Sequence, residues 1–163
     1  MKFIVHDSPV RRGDSNYIAR VDLSPFGLPG EAEQLWLQRR EDGLLELCCI
    51  PFRAYGLSLA DAVSLSTDGT SVIGVVSKSG RRVLRVLLMP VVDAATVMNE
   101  IISEVSQLGL LSELSGDRHV AIDIPAGVDV SSLIDIAERE ESASRAYWEW
   151  ADAMPFSTAV PNS

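Results

Sequence analysis

The dozen residues "IPFRAYGLSLAD", Ile50 to Asp61, are the most patterned stretch of this chain. Within them, Gly56-Leu57-Ser58-Leu59-Ala60 follows the outline of a nucleophile elbow, G-x-S-x-G/A. That motif works because a strained strand-to-helix turn exposes the serine to a histidine base. Here the turn leads into "DAVSLS", where Val63 and Leu65 alternate with polar residues, so the next element is a strand and the elbow lacks its helix. His119 is the only histidine downstream. Ser58 therefore reads as part of a structural joint. Arg53 reads differently, because it lies between Phe52 and Tyr55 directly after a proline-terminated strand. An arginine flanked by aromatics binds an anion or a partner carboxylate and stacks on rings. The alternative is that its stem covers apolar surface while its head reaches water. With Arg53 as an anion holder, Tyr55 and Asp61 would line the same pocket.

Other reactive groups have plainer readings. Glu100 and Glu104 lie one helical turn apart, as do Glu138 and Glu141 approximately. Paired acids perform acid–base work only where burial separates their pKa values, and these fall opposite the apolar stripes of their helices. Cys48 and Cys49 are the only cysteines. Adjacent strand side chains point to opposite faces, so the expectation is two reduced thiols packed as small apolar groups. With His6 and His119 far away in sequence they make no zinc spacing, and neither metal nor cofactor is expected. Lys78, Arg81, Arg82 and Arg85 form the one local basic cluster. Without interleaved aromatics it reads as meeting the protein's own acidic helices rather than nucleic acid. No glycine-rich phosphate loop or dinucleotide fingerprint is present.

The elements that must position these groups change character along the chain. "EQLWLQ" alternates, with Leu35 and Leu37 on one face and Trp36 on the other, and Asp42-Gly43 turns it into "LLELCCI". "DAVSLS" and "SVIGVVSKS" form a second hairpin around "TDGT". A third turn at Ser79-Gly80 leads into "RRVLRVLLMP", where Leu84, Val86 and Leu88 share one face and Arg81, Val83 and Arg85 the other. Asp93 is placed to cap a helix over "AATVMNEIISEVSQLG", with Val97, Ile101, Val105 and Leu108 as its stripe and Gly109 as its stop. "HVAIDIP" is a short strand. Asp129 then opens a long helix whose stripe runs Leu133, Ile136/Ala137, Ala143, Tyr147, Trp150 and Met154.

This order predicts an α+β fold: a small bent antiparallel sheet or partly closed barrel, followed by a β-α-β-α layer. Residues 1–30 would supply a strand and a mobile segment, residues 31–155 the domain, with 81–89 shared between its two parts, and 156–163 a frayed tail. The composition, 47% hydrophobic and 23% charged over 163 residues, is that of a globular chain with a sizeable core. The apolar run Phe3–Val5 is too short for a signal-peptide core, and no stretch approaches the ~20 apolar residues that span a bilayer. A soluble cytoplasmic protein with no membrane or nucleic-acid partner is the expectation. The net charge of −9 is lopsided. Residues 1–90 hold 11 Lys and Arg against 10 Asp and Glu, net +1, while residues 91–163 hold 3 against 13, net −10.

Several motifs look familiar together. Glu33, Leu35 and Trp36, then Asp42-Gly43, follow E-x-L-W and D-G. Ile50, Pro51, Phe52, Ala54, Gly56, Leu57, Asp61 and Val63 follow I-P-F-x-A-x-G-L-x-x-G-D-x-V, and Ser79, Gly80, Leu84, Arg85 and Val86 follow S-G-x-x-x-L-R-V. Over roughly residues 31–155 the chain thereby resembles a bacterial family catalogued as domain of unknown function 4265. Arg53 stands where that family often has an aromatic, and Ala60 where it usually has glycine. The resemblance implies a bacterial cytoplasmic protein of mixed fold and supplies no activity.

Two functions follow from the residues. The leading one is a non-enzymatic binding protein whose acidic second half engages a basic protein partner, as an immunity protein or regulatory adaptor would. Its contact residues would be Glu138, Glu141, Arg145, Trp148 and Glu149. The rival is a small-anion or metabolite-binding module, or an enzyme, sited at the Pro51–Asp61 turn with Arg53, Tyr55 and Asp61.

Overall fold

Side-chain alternation and two Asp-Gly turns build the first of two sheets. The computed structural model describes residues 1–158; the expected frayed tail falls in part on residues 159–163, outside the described residues. The first sheet comprises β1 (Lys2–Ile4), β2 (Tyr17–Asp22), β3 (Glu31–Arg39), β4 (Leu45–Leu47), β5 (Ala62–Leu65) and β6 (Val72–Ser77). β3 is its spine. It pairs antiparallel with β2 from Tyr17↔Leu37 to Asp22↔Ala32 and with β4 at its far end, and parallel with β1 at its start. The parallel pair departs from the all-antiparallel expectation, and residues 5–30 supply the crossover length it needs. The sheet curls until Arg20 of β2 bridges Ser71 beside β6, where the Arg20 N–H donates to the Thr70 carbonyl at 3.0 Å. One bridge leaves the barrel open. Its inner face is a core of Ala19, Val21, Leu35, Leu37, Leu47 and Val63. Residues 24–30, expected to be mobile, form a short 3-10 turn whose Phe26 and Leu28 pack on that core.

The second layer holds β7 (Arg82–Leu88), α1 (Ala94–Gln107), β8 (Ser112–Ser115), β9 (His119–Ile124), α2 (Ser131–Ser142) and β10 (Ala146–Trp150). Its antiparallel sheet has the order β10-β7-β9-β8. Leu84, Val86 and Leu88 of β7 face the helices, where they meet Val97, Ile101 and Val105 of α1 and Leu133 and Ile136 of α2. The stripe expected for the first helix is thus the buried one.

Three expectations are corrected. The long helix from Asp129 ends at Ser142, and "AYWEW" is a strand. Ser144 turns the chain with a positive φ of 57°, and the bulky aromatics at alternate positions suit a pleated surface. The layer is consequently β-α-β-β-α-β, with β8 and β10 in addition to the expected strands. Residues 81–89 are not shared between the sheets, since β7 pairs only with β9 and β10. The turn before β7 is pinned instead, because Asp61 accepts the Ser79 N–H at 2.7 Å and the Lys78 ammonium. Asp93 precedes α1 without a side-chain cap bond, its carboxylate being drawn to Arg145 at 3.1 Å.

Candidate functional site

The period of two in β7, β9 and β10 sends one set of side chains to the helices and the other to the first sheet. Cross-strand register then lines up Glu149, Arg85, Ala121 and Glu113 as one row across four strands. The next row contains Tyr147, Leu87 and His119. Against this face lies the segment Ile50–Tyr55, where Ile50 and Phe52 pack with Val83, Ala121 and Ala151. The two sheets therefore meet in part through the first half of the stretch that the sequence singles out.

A buried carboxylate holds that segment in place. Glu33, fully buried on β3, accepts the backbone N–H groups of Phe52, Arg53 and Ala54 at 2.5, 2.9 and 2.8 Å. His6 joins the cluster, with Nε2 3.0 Å from Glu33 and Nδ1 2.8 Å from Glu113, while its ring stacks on Phe52. Glu113 also accepts the Ile50 N–H at 2.5 Å. Burial alone would lower the His6 pKa, but the Cys49 sulfur and the Glu113 and Glu33 carboxylates raise it to about 12. Burial likewise opposes the Glu33 charge, and His6 with the loop N–H groups outweighs it, holding that carboxyl below its ordinary range. Both groups are charged, neither is open to solvent, and their work is to clamp the sheets together.

What remains accessible is a cleft of about 330 Å³ above Arg85, lined among others by Arg53, Leu87, His119, Tyr147 and Glu149. Arg85 is only 2% exposed. Its Nη1 donates to the Ala54 carbonyl at 3.1 Å, and its guanidinium lies 4.7 Å from the Tyr55 ring centre. Nε approaches Glu149 Oε1 at 3.3 Å as an ion pair without making a hydrogen bond. Nε and Nη2 therefore have no hydrogen-bond partner among the described residues, and neither does Nδ1 of buried His119. Burial, with Arg53 and Arg85 nearby, depresses the His119 pKa to about 3, so that ring is neutral near pH 7. Unpaired buried polar groups are costly and few in folded proteins; among the described residues the one other such atom is Asp123 Oδ1, outside the cleft.

The residues expected from sequence are distributed unevenly over this geometry. Arg53 borders the cleft, and Tyr55 backs Arg85 and donates its hydroxyl to Glu149 at 2.5 Å. Asp61 lies elsewhere, fully buried, accepting the Ser58 N–H at 2.8 Å. Glu149, expected on a partner-binding helix, faces the cleft from β10. Glu138 and Glu141 are exposed on α2, Trp148 donates to Glu141 at 3.1 Å, and Arg145 grips buried Glu140. Arg81 and Arg82 pair with Asp123 of β9 and Asp152 just after β10, and Arg82 covers Trp150, so these arginines meet the protein's own carboxylates on a strand and a turn rather than on the acidic helices expected. Cys48 and Cys49 are free buried thiols.

Sequence reasoning missed Glu33, His6, Glu113 and His119. Glu33 carried a usable signal, because it shares parity with the inward-facing Leu35 and Leu37. Residues 33–150 match the family model described as Domain of unknown function (DUF4265). The chain belongs to this family. A solved structure described as a hypothetical protein from Neisseria gonorrhoeae is similar to it, at 16% identity and a TM-score of 0.62, covering 90% of this chain and 99% of that one. At that identity the likeness is one of fold. No curated protein matches. No helix among the described residues is long and apolar enough to cross a membrane.

Ala60 has a φ of 64°, in the left-handed region that favours glycine. Relief of about 1–2 kcal/mol of backbone strain is partly offset by glycine's greater freedom when unfolded. Ala60→Gly is therefore expected to stabilise the protein by about 0.5–1 kcal/mol in urea unfolding, and an unchanged or lower midpoint would refute the strain. Gly56 has no such latitude, since a Cβ there would lie 2.1 Å from the Phe156 nitrogen.

Proposed function

We propose that this protein binds a small anion in the cleft between Arg53 and Arg85. The observation that carries the reading is the Nε–Nη2 edge of a guanidinium that is 2% exposed, which makes no hydrogen bond among the described residues although Glu149 lies 3.3 Å from Nε. That edge is a two-donor fork, matched in geometry to two oxygens of one anion. Arg53 stands at the rim, its backbone fixed by Glu33, and supplies the second positive charge. Nothing in this arrangement requires a reaction, and a binding module accounts for it.

The test is thermal stabilisation by anions at fixed ionic strength. A ligand present at a hundred times its Kd stabilises the native state by about 2.7 kcal/mol. Carboxylates, phosphate and sulfate are compared with chloride, on the wild type and on Arg53→Ala, whose side chain is half-buried and outside the core clusters. The expected result is a shift with at least one anion that Arg53→Ala abolishes. No shift with any anion, or a shift indifferent to Arg53, would overturn the reading.

A second reading, a basic protein partner, is favoured by Asp135, Glu138 and Glu141. These lie exposed on α2 and form no ion pair among the described residues. Here a native partner captured at low salt is expected to be released by moderate salt.

A further inference from the structure

The cleft holds more than a pair of arginines, and its remaining walls narrow the class of ligand. Resting on the anion-binding reading, we infer that the ligand is a small monocarboxylate bearing an apolar group, with its carboxylate on the Arg85 fork and its apolar part against Leu87 and Tyr147.

Charge is the first argument. Arg53 and Arg85 contribute two positive charges and Glu149 one negative charge, and His119 is neutral near pH 7. The groups that line the cleft thus leave one positive charge facing a ligand. A phosphate monoester dianion would bring excess negative charge beside Glu149, whose Oε1 already lies 3.3 Å from Arg85 Nε. Like charges so close in a partly dehydrated cleft repel strongly.

Geometry is the second argument. Arg85 is held by the Ala54 carbonyl at Nη1 and by the Tyr55 ring, so its Nε–Nη2 edge, without a hydrogen bond among the described residues, keeps one plane. A planar carboxylate meets such a fork with two parallel hydrogen bonds. The third argument is the register. Leu87 and Tyr147 are direct cross-strand partners two residues from Arg85 and Glu149, on the same face of the sheet. Tyr147 is 64% exposed and Leu87 half-buried, so an apolar wall stands open beside the fork. His119, across β7 from Tyr147, has an Nδ1 without a hydrogen-bond partner among the described residues and could meet one neutral polar atom of the ligand.

Titration calorimetry of the wild type with acetate, butyrate, hexanoate, hexanamide, inorganic phosphate and sulfate tests this. Each methylene that reaches the wall is worth about fourfold in affinity. Hexanoate is expected to bind at least tenfold more tightly than acetate, and hexanamide, which lacks the charge, not measurably. Tyr147→Ala should remove most of the hexanoate advantage and leave acetate unchanged. Glu149→Gln should improve phosphate relative to hexanoate by tenfold or more. Phosphate or sulfate binding that depends on Arg53, with no gain from acetate to hexanoate, would overturn the monocarboxylate and leave the anion site standing. A phosphate-to-hexanoate ratio unmoved by Glu149→Gln would overturn the charge argument. Absence of binding by every acid would overturn both readings.

Discussion

Glu33→Ala is expected to destabilise the protein by about 3–5 kcal/mol, the loss typical of removing one partner from a buried ion pair. The side chain has several obligations at once. It takes three successive backbone N–H groups from Phe52 to Ala54, and it is one of two carboxylates on His6. Alanine would leave those donors buried without an acceptor and the His6 charge with Glu113 alone. Because whole domains are stable by only about 5–15 kcal/mol, this is a large fraction of the total. Urea unfolding measures it, and a loss below about 1 kcal/mol would show that the clamp is dispensable. The same cluster has a signature in pH. His6 has a folded pKa of about 12, above its ordinary value of 6.5, so its contribution is complete below about pH 6.5. It then drains away as pH rises toward 12, by up to about 1.4 kcal/mol per unit for one proton. His6→Gln should be less stable at neutral pH and should lack that alkaline slope.

Arg85→Met is expected to separate stability from binding. Burying a charge is expensive, an apolar side chain of similar length removes that cost, and the partner left behind, Glu149, is 40% exposed and stays solvated. The hydrogen bond to the Ala54 carbonyl would be lost, while Glu149, partly exposed, keeps the Tyr55 hydroxyl. Thermal unfolding should therefore change little or shift upward. Anion-induced stabilisation should vanish, since truncating one partner of a buried charged contact costs about 2–5 kcal/mol. A variant that unfolds at much lower temperature would mean that Arg85 is structural, and one that still responds to anions would place the site elsewhere. Leu is a less informative replacement because it leaves more of the space empty.

Much of this architecture was legible in residue order. The alternation in "RRVLRVLL" assigned Leu84, Val86 and Leu88 to one face and Val83 and Arg85 to the other, and the face carrying Arg85 turned out to hold the cleft. The stripe of the first helix and both Asp-Gly hairpins were equally plain. The second helix was overextended because Tyr147 and Trp150 fall at helical spacing from Ala143, while an alternating reading of "AYWEW" fits as well. Short amphipathic runs support both periods, and only the left-handed turn at Ser144 decides between them. Parts of the site were hidden for a different reason. Arg53 drew notice through its aromatic neighbours. Its companions Arg85 and His119 lie 32 and 66 positions further on, and their register across β7 and β9 brings them together.

The contact between His6 and Glu113 also bears on when the cleft comes into being. It joins positions 107 apart in sequence, whereas the hairpin β3–β4 and the helix-covered sheet are assembled from nearer neighbours. Contacts of large sequence separation close the longest loops and so form late in folding. Each sheet has its own core, but the cleft between Arg53 and Arg85 exists only after the sheets have docked and His6 has joined them. Anion affinity would then report the fully native molecule and be absent from any intermediate in which one sheet is complete and the other still searching.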